Sequence, residues 1–339
     1  MRPRAPITFA AGLALVLVSI IAMPVAGSSG AAAAAARAEH DRIVAYWTPE
    51  RMASAVPRDL SPAGSPLLSP RAKPGSGGGG GGVTGASWTK GGAVLLKTGK
   101  VYFTLSGGNW QCSGSIVTDG GRSGYSLVLT AGHCAVDETN GNFATNWLFM
   151  PDWDASPASW STACGGTLYG CWTARALVVH YGFAHAGGFN QQATTHDWAF
   201  AVVGPGGKSS TQLDVLGSFG IQFSGVSSGN RLASFGYPAA GRYDGNDLTY
   251  CAGPIIQDQY NGNKTWGMAC DMTGGSSGGP WLAAFNEADG SGGTASSLNS
   301  YGYRSVKGYM FGPKFNSNTQ ATYNTAKTVT SNTVVGTAP

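Results

Sequence analysis

The sequence predicts an all-β protein, and three observations carry that expectation. Glycine occurs 53 times and charged residues make up only 11% of the 339-residue chain, a composition suited to short strands joined by tight turns. Short apolar runs recur between Gly- and Pro-bearing breaks along most of the chain. Beyond the N-terminal region no long 3.6-residue apolar period occurs, except a short helical candidate around Thr319 to Lys327 that would close the fold.

The N-terminus carries Arg2 and Arg4, then runs apolar from Ile7 to Ala26 into small residues. That pattern predicts a secretory signal over residues 1–38, with cleavage between Ala26 and Ala38. The competing reading is a signal anchor, against which Gly12, Ser19 and Pro24 speak. Residues 39–82 are polar and Pro-bearing and end in Arg71, Lys73 and the glycines 77–82, which predicts a propeptide and Gly-rich linker; a plain disordered extension is the alternative.

Residues 83–339 then form one expected domain. Eight Lys/Arg and four Asp/Glu precede residue 83, whereas thirteen of each follow it, so the net charge of +4 lies entirely in the leader. A neutral domain gives no electrostatic footprint for nucleic acid or for a membrane surface, and no partner of either kind is expected once the signal is gone.

Strand candidates in the first half are Ala93 to Leu96, Val101 to Thr104, Ser115 to Val117, Ser126 to Leu129, Ala176 to Val179 and Trp198 to Val203. Gly204-Pro205-Gly206-Gly207 breaks the pattern, and a second series follows at Gly220 to Phe223, Arg231 to Tyr237, Thr265 to Ala269, Gly279 to Ala284 and Val306 to Phe311. The halves divide at about residue 205, with the second running to about 315 and a C-terminal segment over 316–339.

The chemistry lies in Cys270-Asp271-Met272-Thr273-Gly274-Gly275-Ser276-Ser277-Gly278-Gly279-Pro280-Trp281. It places Ser277 on a tight glycine turn whose N–H groups can converge on a substrate oxygen. A serine hydroxyl needs a base to take its proton and donors to hold an oxyanion. Leu129-Thr130-Ala131-Gly132-His133-Cys134 offers the base, and Asp197, at the head of an apolar strand, offers the acid. A Gly/Ser cluster alone is weak, since Gly290 to Ser297 reads as an ordinary flexible loop. The order His, Asp, Ser with these flanks is what points to nucleophilic catalysis.

With these residues in view, the chain resembles the chymotrypsin-like (trypsin-fold) serine peptidases, in the secreted bacterial branch related to glutamyl endopeptidases. Leu129 to Cys134 is similar to the family's T-A-x-H-C box, Asp197-Trp198-Ala199 to its D-[IW]-A strand, and Gly275 to Pro280 to G-[DS]-S-G-G-P. Ser300-Tyr301-Gly302 is similar to the strand that pairs with substrate. The resemblance spans residues 83 to 315 and implies two packed antiparallel six-stranded Greek-key barrels with a short C-terminal helix, the site lying between them.

The resemblance also implies roles. His133 would be the general base, Asp197 its orienting acid and Ser277 the nucleophile, with the N–H groups of Gly275 and Ser277 as oxyanion hole. Asp271, six residues before Ser277, would line the primary pocket as in trypsin-like members and favour a basic residue at the cleaved position. Ser300, Tyr301 and Gly302 would bind substrate. Ser276 stands where many animal members carry an aspartate that pairs with a new N-terminus, so that activation switch is not expected.

An even set of six cysteines behind a signal predicts three disulfides, and local order with the resemblance implies Cys112 with Cys134, Cys164 with Cys171, and Cys251 with Cys270. No C-x-x-C pair occurs, so neither a metal nor another cofactor is expected. His196, next to Asp197, should face away on an alternating strand. The chain is therefore expected to be a secreted monomeric serine endopeptidase acting on protein or peptide substrates, with its own propeptide as a further partner. A non-catalytic secreted binding or surface protein of the same fold is the alternative. An esterase of the Ser–acid–His order is excluded, because no histidine follows Ser277.

Overall fold

The computed structural model describes Met1 and residues 27–62, 81–155 and 163–337. Most of the expected signal peptide and of the Gly-rich linker lies outside these residues. Among the described residues no helix is long and apolar enough to cross a membrane.

Six strands of the first half close on themselves. In chain order they are β1 (Thr98–Leu105), β2 (Gly108–Val117), β3 (Ser126–Thr130), β4 (Thr145–Pro151), β5 (Trp172–His180) and β6 (Ala199–Val203). Their neighbours run β2-β1-β4-β5-β6-β3, and β3 pairs back with β2, so the sheet has no free edge. β3 and β6 are buried throughout, which is why each reads as a continuous apolar run rather than an alternating one.

The second half builds two sheets. One holds β7 (Arg231–Gly236), β8 (Thr249–Pro254), β10 (Pro280–Asn286) and β11 (Ser291–Leu298); the other holds β9 (Thr265–Ala269), β12 (Tyr301–Tyr303) and β13 (Val306–Pro313). A helix over Ser317–Ala326 follows, its first turn capped by the Asn316 side chain accepting from the N–H groups of Asn318 and Thr319. It packs on the first barrel, where Thr322 Oγ1 accepts from Trp198 Nε1 at 3.2 Å.

Three local expectations change. Ala93–Lys97 is a helical turn, not a strand, since a short apolar run is ambiguous between the two and Gly92 at φ +86° sets the chain into the turn. Ser291–Leu298, expected as flexible loop, is a strand because pairing with β10 and with Gly220–Ile221 overrides its weak propensity. Val83–Ser87 pairs with β8 of the second half, although it begins the segment assigned to the first.

The largest difference is the leader. Gly27–Tyr46 and Pro49–Ser54 are helices, and Val56–Pro57 adds in parallel to Trp110 and Gln111 of β2. Trp47 is fully buried, 5.4 Å from the ring of Tyr102, and donates its indole N–H to the Asn146 carbonyl. The apolar run Ile43 to Trp47 is too short to show by its period that this segment docks.

Candidate active site

β3 and β6 are antiparallel neighbours with Thr130 opposite Ala199, so the residues just past the end of β3 and just before β6 lie side by side. A 3₁₀ turn over Gly132–Cys134 carries His133 out of β3, and Asp197 sits two residues ahead of β6. The carboxylate of Asp197 grips the histidine twice: Oδ1 accepts the His133 backbone N–H at 2.8 Å, and Oδ2 faces Nδ1 at 2.7 Å. Ser300 Oγ donates to the same Oδ2 at 2.5 Å. Both Asp197 and His133 are fully buried. This arrangement holds Nδ1 as the donor and leaves Nε2 as the free ring nitrogen, which is buried without a hydrogen-bond partner.

The serine turn needs its glycines. Gly275 and Gly278 have φ +97° and +85°. A Cβ on Gly278 would stand 2.2 Å from Thr130 Oγ1 and 2.4 Å from the Ser113 carbonyl oxygen, so the turn seats directly on the first barrel. Ser276 N–H donates to Thr273 O at 3.2 Å and Gly278 N–H to Asn299 O at 2.8 Å. The N–H groups of Gly275 and Ser277 have no acceptor among the described residues. Ser276 spends its hydroxyl on Thr273 O at 2.8 Å.

Two buried residues that no motif signals hold this geometry. Ser113 of β2 donates its N–H to Ser277 O at 2.7 Å and its hydroxyl to Gly275 O at 2.8 Å. Asn299 donates from Nδ2 to the carbonyl oxygens of Ser276 and Phe235, while its Oδ1 accepts from Ser234 Oγ and Trp281 Nε1. A single polar residue in a strand or loop has no spacing rule by which sequence could find it.

A cleft of about 630 Å³ opens beside Ser277, lined by Met272 to Gly274 on one side and Tyr301 to Arg304 on the other. Asp271 reaches its rim, but the carboxylate is committed to Arg242 at 3.1 Å and to the Tyr243 hydroxyl, and the pair is exposed. The side chains of Ser300 and Tyr301 are both held by buried carboxylates. The Ser300 hydroxyl serves Asp197, and Tyr301 donates to the buried Asp258 at 2.6 Å, a contact shared with Tyr303 and Thr265. Burial and the adjacent Asp258 push the Tyr301 phenol well above its ordinary range. Gly302 lines the cleft with no side chain to obstruct it.

The three cysteine pairs are Cys112–Cys134, Cys164–Cys171 and Cys251–Cys270. Cys112, Cys134 and His133 come within metal-ligand distance of one another, but the two sulfurs are bonded to each other and offer no thiolate. His196 faces away from the carboxylate, stacking on His180 at 4.4 Å with Nδ1 at 2.9 Å from Gln192 O.

Comparison with known proteins supplies the relationship. The protease Anisep from Arthrobacter nicotinovorans is 39% identical over 73% of this chain and 100% of its own, with a TM-score of 0.59. The chain belongs to the chymotrypsin-like serine peptidases. A thermostable serine protease, AL20, from an extremophilic microorganism is 36% identical over 70% of this chain and 99% of its own, at a TM-score of 0.58. A Glu endopeptidase at 18% identity and a TM-score of 0.52 shares the fold. No family model and no curated protein sequence matches. In this serine peptidase the closed barrel, the extra sheets and the few helices agree with the trypsin-like two-barrel architecture.

Proposed function

We propose that this chymotrypsin-like peptidase is a secreted endopeptidase, made as a precursor, that cuts peptide bonds through Ser277, His133 and Asp197. The observation that carries the reading is the double grip of Asp197 on His133, at 2.8 and 2.7 Å, which fixes the ring with Nε2 free for the serine. As Ser277 Oγ bonds to the scissile carbonyl carbon, its proton passes to Nε2. The N–H groups of Gly275 and Ser277 hold the oxyanion. When the C–N bond breaks, Nε2 returns the proton to the leaving amine, and water then hydrolyses the acyl-serine by the same path.

Asp197 is not itself protonated in this scheme; it stabilises the imidazolium and fixes the tautomer. The three disulfides and the bacterial protease relatives support an extracellular location. Because the Asp271 carboxylate is taken by Arg242, the pocket is not expected to select a basic residue through it.

The test is active-site labelling of the processed, secreted protein with a serine-directed phosphonate, read by peptide mapping, beside the sites it cuts in an unstructured protein. The label should sit on Ser277 and the mature chain should begin near Val83. A folded protein that takes no label and cuts nothing would favour the binding-protein reading instead.

A further inference from the structure

The leader reaches the candidate active site through residues 55–61. Gln111 Nε2 donates to Ala55 O at 2.7 Å, and Val56–Pro57 zips onto β2. The next residue, Arg58, turns its guanidinium inward beneath the histidine turn. Nη1 donates to the carbonyl oxygen of His133 and lies 3.4 Å from that of Val136, while Nη2 pairs with Glu138 Oε2 at 2.8 Å. Both charged side chains are at most 10% exposed. On the opposite wall Pro57 and Asp59 lie against Gly274, where a Cβ would come within 2.9 and 2.7 Å of them. Asp59, Leu60 and Ser61 continue into the cleft beside Ser277. The segment thus spans the gap from the histidine turn to the serine turn.

A buried carboxylate flanked by two carbonyl oxygens offers acceptors only. Withdrawing Arg58 would leave that negative charge partly desolvated and unpaired, which is costly, so the pocket demands a cation with several directed donors. A guanidinium supplies them in a fork; an ammonium offers a point charge.

We propose that His133 O, Val136 O and Glu138 form an arginine-binding subsite at the histidine turn, beside the cleft, filled in cis by Arg58 so that residues 55–61 close the site until the leader leaves. The meaning of closure rests on the peptidase reading; the subsite does not.

The test keeps the full chain and places a recognition sequence for a site-specific endopeptidase in the glycine tract 77–82, so that the folded protein can be nicked. After nicking, two quantities are read: retention of the leader fragment on gel filtration, and hydrolysis of an unstructured peptide. The wild type should keep its leader and hydrolyse slowly. Arg58→Ala and Glu138→Gln should each shed it, with hydrolysis rising roughly thirtyfold or more, the effect of truncating one partner of a buried pair.

A synthetic peptide spanning residues 53–62 should then bind the leader-free Arg58→Ala protein and slow it again. The same peptide with citrulline for arginine should bind at least about tenfold more weakly. Should Arg58→Ala misfold, wild type stripped of its leader by dilution serves for the peptide comparison. Equal binding of the two peptides, or a leader held as firmly by Arg58→Ala as by wild type, overturns the subsite. Arg58-dependent leader release with no hydrolysis in any variant supports the subsite and rejects the peptidase reading.

Discussion

Ser113 and Ser277, 164 positions apart in sequence, are joined at 2.7 Å by the N–H of the first and the carbonyl oxygen of the second. The candidate nucleophile belongs to the second half of the chain, yet its backbone is held by a strand of the first. The Ser113 hydroxyl strengthens the junction by accepting from Tyr237 N–H at 2.9 Å while donating to Gly275 O.

Ser113→Ala should therefore lower stability by about 1–3 kcal/mol, because it leaves the Tyr237 N–H and Gly275 O without their buried partner. Turnover should fall as well, since Gly275 is one edge of the proposed oxyanion hole. Denaturant midpoints and peptide hydrolysis measure the two effects. A variant with full turnover would show that the turn keeps its shape without the hydroxyl.

Ser277→Ala should abolish phosphonate labelling and reduce peptide hydrolysis to a small residue while leaving the melting temperature close to that of wild type. The remaining rate reflects binding and oxyanion donors alone, which survive removal of the hydroxyl. Undiminished labelling would assign the nucleophile elsewhere.

Asp197→Asn should leave the fold intact and slow turnover by about four orders of magnitude, because the single amide oxygen kept by the His133 N–H leaves the NH2 facing Nδ1, which imposes the wrong tautomer. His196→Ala should change turnover little, as its ring is stacked on His180 and bonded to Gln192 rather than to the acid. The comparison is decisive in sign. A histidine variant more damaged than the aspartate variant would misplace the acid.

The His180 imidazole gives a pH prediction. Burial first, and the neighbouring His196 second, lower it from 6.5 to about 4. Between those values the unfolded chain binds a proton that the folded protein refuses, so stability should fall as pH drops from 6.5 toward 4. Below that window both states are protonated and the contribution is complete. Its Nδ1 also accepts from Gly182 N–H at 3.0 Å, an interaction that protonation would remove. His180→Gln should flatten the slope of chemical-denaturation stability across this range; an unchanged slope would exclude His180 as its source.

The site was legible where chemistry imposes spacing. His133, Asp197 and Ser277 sit in flanked motifs because a turn, a strand head and a glycine hinge each restrict their neighbours. Cysteine pairing followed from local order taken with the family resemblance, and the three bonds are the ones so implied. What holds these groups in place was not. Ser113 and Asn299 work through single hydrogen bonds to backbone atoms distant in sequence, and such bonds leave no period.

The second-half strand over Ser291–Leu298 was hidden by its glycines and serines, whose conformation is decided by the strands beside it. Leader docking was hidden for another physical reason. The sites that receive Trp47 and Arg58, around Tyr102 and Glu138, are built only when the barrel closes.

Val56–Pro57 is paired to the first half and Val83–Ser87 to the second, with the glycine tract between them. While that tract is whole, residues 55–61 would face their docking site at an effective concentration of order millimolar, whatever the amount of protein in solution. A single cut in the tract makes rebinding bimolecular. The same contacts, unchanged in strength, would then loosen by dilution alone, so release into a large extracellular volume would itself complete the switch that the cut begins.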